Sequence, residues 1–263
     1  MKHIIDKNIF LLDMDGTIYL GDHLIDGAKE FLETLKEKGK RYIFLTNNSS
    51  KNKHIYVEKL NRLGVEATVE DIFTSGEATT RYLKRYKQNA RIYLLGTKAL
   101  EDEFESEGFV LVKERHQEVD YVVLGFDTTL TYDKLWGACE YIAKGVTYIA
   151  THPDFNCPLP NEQFMPDAGA MAAFIEASTG KTPKVIGKPN KEVVESIASK
   201  YQLDKQEMIM IGDRLYTDVQ TGINAEITSV IVFSGETTPK DYQESSIRAT
   251  YSFNSVKDMI EII

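Results

Sequence analysis

Four apolar residues in a row, Ile9-Phe10-Leu11-Leu12, run directly into Asp13-Met14-Asp15-Gly16-Thr17. A run without polar alternation reads as a strand buried on both faces of a parallel sheet. An ionised carboxylate resists desolvation, so two of them at the end of a buried strand call for a cation or a set of donors. Gly16 and Thr17 permit a sharp turn away from the sheet. Asp13 and Asp15 are two apart and can both project into one crevice at the C-terminal edge, where open α/β sheets bind ligands. The plain structural alternative is a strand end closed by an Asx-type turn. The chemical one is a metal-dependent aspartyl nucleophile with an acid–base partner.

The same pattern, an apolar run ending in polar groups, recurs along the chain. Arg41 to Leu45 closes in Thr46-Asn47-Asn48-Ser49-Ser50, Val185-Ile186-Gly187 in Lys188, and Met208 to Gly212 in Asp213, with Asp218 five residues on. A fifth apolar strand is expected from Ser229 to Phe233. Helical periodicity fills the gaps. Phe31, Leu32 and Leu35 share one face, Leu60 and Leu63 another, and Pro189-Asn190-Lys191 opens a helix to about Tyr201. Alternating strands and helices imply an α/β fold, a doubly wound parallel-sheet core. From about residue 87 the alternation restarts. Strands are expected at 91–95, 109–112, 121–126 and 147–151, then an irregular loop from His152 to Pro166 that holds four of the chain's seven prolines. The expected organisation is a discontinuous core, 1–86 and 180–263, with an inserted α/β cap domain, 87–179.

In an open parallel sheet the C-terminal strand ends share one edge, so four chemistry-bearing ends can meet although 200 positions separate Asp13 from Asp213. Asp13, Asp213 and Asp218 make an oxygen-rich set suited to Mg²⁺, which takes few protein ligands and keeps several waters. Thr46 offers a hydroxyl, the backbone N–H groups of Asn47 and Asn48 an anion-binding turn, and Lys188 a point positive charge. The chemistry they suit is phosphoryl transfer. The chain's net charge of −9, from 31 basic and 40 acidic residues, argues against a nucleic acid polymer or a membrane surface as partner. An anionic substrate must then be captured by local positive charge.

Asp-x-Asp-Gly-Thr, the Thr-Asn-Asn turn, Gly-Lys-Pro and Gly-Asp-x-x-x-x-Asp stand in the order found in the haloacid dehalogenase superfamily, and the resemblance spans nearly the whole chain. The long insert between Thr46 and Lys188 resembles the branch with a large α/β cap, which includes 4-nitrophenylphosphatases, nucleotide monophosphatases and phosphoglycolate phosphatases. The resemblance implies a Mg²⁺-dependent phosphatase acting on a small phosphate monoester. Asp13 would attack phosphorus and carry an aspartyl-phosphate, and Asp15 would protonate the leaving group and then activate water. Thr46, Asn47, Asn48 and Lys188 would bind the phosphate. The metal would be held by Asp13, the Asp15 carbonyl and Asp213, with Asp218 in support. It also implies that the cap loop, with His152 and Asp154, faces the substrate, while a structural turn role for these residues stays equally open. One departure is Glu226, where the family usually has glycine.

The same residues are compatible with a phosphotransferase or mutase, or with a silent phosphate-binding module, although a binder needs no nucleophile. Cys139 reads as a buried thiol, Cys157 as a loop thiol and Asp167 as a helix cap. Two cysteines give no disulfide framework. The first residues carry charges of both signs without an apolar signal region, and no run reaches membrane-spanning length, so a cytoplasmic protein is expected. A homodimer is left open.

Overall fold

The computed structural model describes residues 2–159 and 163–263. Pro160, Asn161 and Glu162, part of the expected proline-rich loop, lie outside the described residues. The chain divides into two compact units, Met1–Thr46 with Lys53–Phe73 and Lys188–Ile263, and Asn47–Asn52 with Thr74–Gly187.

In the first unit the strand Ile9–Leu12 is buried along its whole length, as its unbroken apolar character requires. Burying each such side chain contributes about 1.5–3 kcal/mol. The six-stranded sheet runs Tyr251–Phe253, Thr228–Val232, Met208–Gly212, Ile9–Leu12, Arg41–Thr46, Ile72–Thr74. Leu12 pairs in parallel with Ile211 on one side and Phe44 on the other. This register sets Asp13 between the ends that lead to Asp213 and to Thr46. From Ile9–Leu12 the chain first builds outward one way and later the other, so Asp13 stands where the strand order reverses, the usual ligand-binding point of such a sheet. Phe31, Leu35, Phe44, Ile209 and Val256 belong to the core on one face. The helix Gln220–Ala225 ends at Glu226 with φ +60°, a left-handed cap that favours glycine. The departure noted in the sequence is thus confined to an exposed helix end.

The second unit has its own five-stranded sheet, in the order Lys184–Val185, Thr147–Ala150, Tyr121–Leu124, Arg91–Leu95, Val110–Leu111, with its core around Tyr93, Val122, Leu124, Tyr141 and Ile175. The fold class is therefore the one expected, two parallel-sheet α/β units in one chain. Three details differ. The strand before Lys188 belongs to this second sheet, because Lys184 and Val185 pair with Ile149 and Ala150, and Ile186 and Gly187 extend the ladder to Ala150 and Thr151. Three core strands, not four, therefore end in candidate chemistry. The helix Ser75–Lys84 falls in the second unit rather than the first. There Ser75 Oγ donates to the Asn47 carbonyl, and Lys84 pairs with Glu107. The division accordingly lies at 73/74 and 187/188 rather than 86/87 and 179/180. Finally, the loop after His152 contains an antiparallel ribbon, Asn156–Pro158 with Phe164–Pro166. The stretch expected as an irregular loop is thus partly paired, and in a two-stranded ribbon each strand has a free edge where proline costs no ladder bond. Cys157 sits on this ribbon, and both it and Cys139 are half-buried. Among the described residues no helix is long and apolar enough to cross a membrane.

Candidate active site

Four of the residues expected in the site come together in the first unit. Lys188 is 3% exposed, and its Nζ donates to Asp13 Oδ1 at 2.5 Å and to Asp218 Oδ1 at 2.7 Å. One oxygen each from Asp13, Asp213 and Asp218 lies within 4.8 Å of the others. Burial pushes the Asp13 carboxyl well above its usual range. Lys188 opposes the shift, and the Asp218 and Asp213 charges add to it. Burial, then repulsion from Asp218, pushes Asp213 up to about 7. Burial disfavours the Lys188 ammonium, yet Asp13 and Asp218 outweigh it and hold the group charged. One ammonium against three carboxylates leaves the cluster net negative. A cation relieves that imbalance and reverses the upward shifts.

The two oxygens of Asp213 are treated differently. Oδ2 accepts the Glu236 N–H at 2.7 Å, whereas Oδ1 is buried without a hydrogen-bond partner among the described residues. A buried carboxylate oxygen is not left bare without reason. Set beside Asp13 in an all-oxygen site, it fits a hard divalent cation. Asp218 is already committed, with Oδ1 to Lys188 and Oδ2 to the Arg214 N–H at 3.0 Å. Its place is therefore to hold Lys188 and the loop. That segment is a π-helical turn, Leu215–Val219, a form common at functional sites.

Glycine is obligatory at two points around Asp213. Gly16 has φ +80°, and a Cβ there would lie 2.3 Å from Asp213 Oδ2. A Cβ on Gly235 would lie 2.1 Å from the same oxygen and 2.7 Å from the Gly16 Cα. Ser234 Oγ ties the two loops by donating to the Gly16 carbonyl at 2.7 Å. The segment Ser234-Gly235-Glu236 was missed in the sequence, though it follows the fifth apolar strand just as Asp13 and Asp213 follow theirs. Asp15, at the mouth of the turn, is exposed, and Thr46, at the end of its strand, is half-buried.

Asn47, Asn48, His152 and Asp154 belong to the second unit. Asn47 Nδ2 donates to the Asp154 carboxylate at 3.2 and 3.3 Å. His152 is fully buried. Its Nδ1 meets Thr151 Oγ1 at 2.8 Å and its Nε2 meets Asp167 Oδ1 at 2.9 Å. Thr151 Oγ1 in turn reaches Ser49 Oγ at 3.1 Å. Asp167 caps the helix Ala168–Thr179, as expected. Burial by itself lowers the His152 pKa, but the hydrogen bond and charge of Asp167, with Asp154 beyond, raise it above the ordinary value. A basic group raised on folding stabilises fully below its unfolded pKa, about 6.5, and loses that contribution as pH rises through the folded value. The melting temperature should therefore fall across that window, and His152→Gln should remove the slope. Parallel melting profiles for the two proteins between about pH 5.5 and 9 would show that His152 does not charge in the folded state.

A family model described as haloacid dehalogenase-like hydrolase matches residues 10–110, and one described as HAD-hydrolase-like matches residues 185–259. An acid sugar phosphatase of Staphylococcus aureus is 37% identical over 95% of this chain and 96% of its own. The crystal structure of a 4-nitrophenylphosphatase from Thermotoga maritima superposes with a TM-score of 0.92 at 48% identity, covering 98% of each chain. A glycerol phosphate phosphatase from Mycobacterium tuberculosis, solved in complex with calcium, gives 0.90 at 27% identity over 98% of this chain and 76% of that one.

Proposed function

The chain belongs to the haloacid dehalogenase-like hydrolases and is a phosphatase, and we propose that it hydrolyses small, soluble phosphate monoesters with Mg²⁺ through an aspartyl-phosphate on Asp13. The observation that carries this reading is the buried cluster in which one ammonium faces three carboxylates and Asp213 Oδ1 has no partner among the described residues. A phosphate-binding module would gain nothing from a carboxylate aimed at an anionic ligand, whereas a nucleophile has to be there. The names of the relatives, acid sugar phosphatase and 4-nitrophenylphosphatase, support hydrolysis over transfer.

The Asp13 carboxylate attacks phosphorus in line, the P–O ester bond breaks, and the departing oxygen takes a proton from Asp15. Water then attacks the aspartyl-phosphate and yields its proton to Asp15, which returns Asp13 and releases inorganic phosphate. Lys188 orients Asp13 and contributes positive charge toward the phosphoryl oxygens, and Asp218 fixes Lys188. Thr46, at the end of its strand in the same unit, offers its hydroxyl to the phosphate. Asp13, Asp213 and the Asp15 main-chain carbonyl would hold a divalent cation, whose charge would offset repulsion between carboxylate and phosphate.

The test is hydrolysis of 4-nitrophenyl phosphate, with inorganic phosphate counted, in the presence of Mg²⁺ and after chelation. Phosphate release that depends on Mg²⁺ is expected. No release with any divalent cation would sink the reading, and delivery of phosphate to an added alcohol instead of water would assign a phosphotransferase.

A further inference from the structure

Glu236 takes no part in the chemistry above, yet its carboxylate is held at both oxygens. Oε2 lies 2.8 Å from Arg214 Nε, and Oε1 accepts from Tyr216 Oη at 2.8 Å. Its main-chain N–H is the group that occupies Asp213 Oδ2 at 2.7 Å, and the next N–H, that of Thr237, donates to the Asp213 carbonyl at 3.2 Å. Arg214 directly follows Asp213 in the chain, and its own N–H holds Asp218 Oδ2 at 3.0 Å. These bonds close a small ring from the Asp213 backbone through the Arg214 and Glu236 side chains to the Glu236 N–H and back to the Asp213 carboxylate.

We propose that Glu236, Arg214 and Tyr216 form a latch that positions Asp213, fixing Oδ2 on the protein so that Oδ1 is presented to the divalent cation. This rests on the metal-dependent reading given above. The three are positioning residues, since none needs to touch substrate or metal. The Glu236 side chain is 47% exposed and that of Arg214 21%. Ion pairs this close to solvent add little to stability, so the value of the latch lies in orientation. Groups that orient a metal ligand from behind typically set affinity by about 10–100-fold.

Electrostatics alone predicts the opposite sign for one variant. The Arg214 guanidinium carries positive charge beside the carboxylate cluster, and it senses both Asp13 and Asp213. Deleting that charge would tighten a cation if Arg214 acted only through its field. Deleting the latch loosens it.

The experiment is calorimetric titration of Mg²⁺ alone, without any phosphate ester, into wild type, Arg214→Met, Tyr216→Phe and Glu236→Ala at one ionic strength. Arg214→Met and Glu236→Ala are expected to raise the Kd about tenfold or more, and Tyr216→Phe severalfold, with the metal-free melting temperature little changed. Glu236→Gln, which keeps an acceptor oxygen, should recover part of the loss. Arg214→Met binding Mg²⁺ as tightly as wild type, or tighter, overturns the latch. If that variant does not fold, Tyr216→Phe decides the matter, since it removes one hydroxyl from a half-exposed ring and an unchanged Kd then overturns the proposal. A wild type that takes up no Mg²⁺ overturns the metal reading and the latch with it. Wild-type binding with unaltered variants overturns the latch alone.

Discussion

Asp13→Asn should lower turnover of 4-nitrophenyl phosphate by ~10⁴-fold or more, equivalent to about 5.5 kcal/mol of lost transition-state stabilisation, while the fold stays intact. The amide has nearly the shape of the carboxylate but is a poor nucleophile, so the covalent route closes. The electrostatics point the same way for stability. Burial holds the folded Asp13 pKa above its unfolded value, opposed by Lys188 and reinforced by Asp218 and Asp213. An acid shifted upward on folding costs stability once pH exceeds the unfolded value, and the cost is full above the folded one. The substitution removes that cost, and Lys188 keeps Asp218 as a partner at 2.7 Å. Without metal, the variant should therefore melt no lower than wild type at neutral pH. Turnover within about tenfold of wild type would mean that another group attacks phosphorus, whatever the melting temperature shows.

The central strand and its aspartates were legible because a buried run without alternation admits few alternatives, and carboxylates at its end need compensation. The rest was hidden for specific physical reasons. A strand of two residues, Lys184–Val185, carries no mark of which of two parallel sheets it joins, so Lys188 was given the right neighbours through the wrong strand. The role of Glu236 toward Asp213 is played by a main-chain N–H, which every residue but proline possesses, and no side-chain pattern can announce it. His152 has partners at 151 and 167, with Ser49 one step further, scattered over more than a hundred residues. A histidine in a polar loop gives no sign that such partners will enclose it. The ribbon that follows reads as an irregular loop because its strands are three residues long and proline-bearing, and proline is excluded from interior strands but not from edges.

Asp15→Asn should separate the two jobs assigned to that residue by the chemistry of the leaving group. In the first half-reaction a proton must reach the departing oxygen. For a sugar or alkyl ester the alternative is a free alkoxide, a poor leaving group, so the loss should be large. For 4-nitrophenolate, whose charge spreads into the ring, it should be small. In the second half-reaction a proton must be taken from water regardless of which ester was bound. Help of this kind is typically worth ~10²–10⁴ in rate. The exposure of Asp15, near the partly exposed Asp13 and its buried partner Lys188, suits a group that must exchange protons with both leaving group and water. The variant should therefore form the aspartyl-phosphate readily from 4-nitrophenyl phosphate and then stall. Rapid mixing should show a burst of nitrophenol of about one equivalent per enzyme, followed by slow turnover, with phosphate trapped on Asp13. Alkyl phosphates should give no burst, because both steps are slowed. Equal losses on the two ester classes, with no trapped phosphoenzyme, would reduce Asp15 to a positioning or metal-binding residue and place the general acid elsewhere.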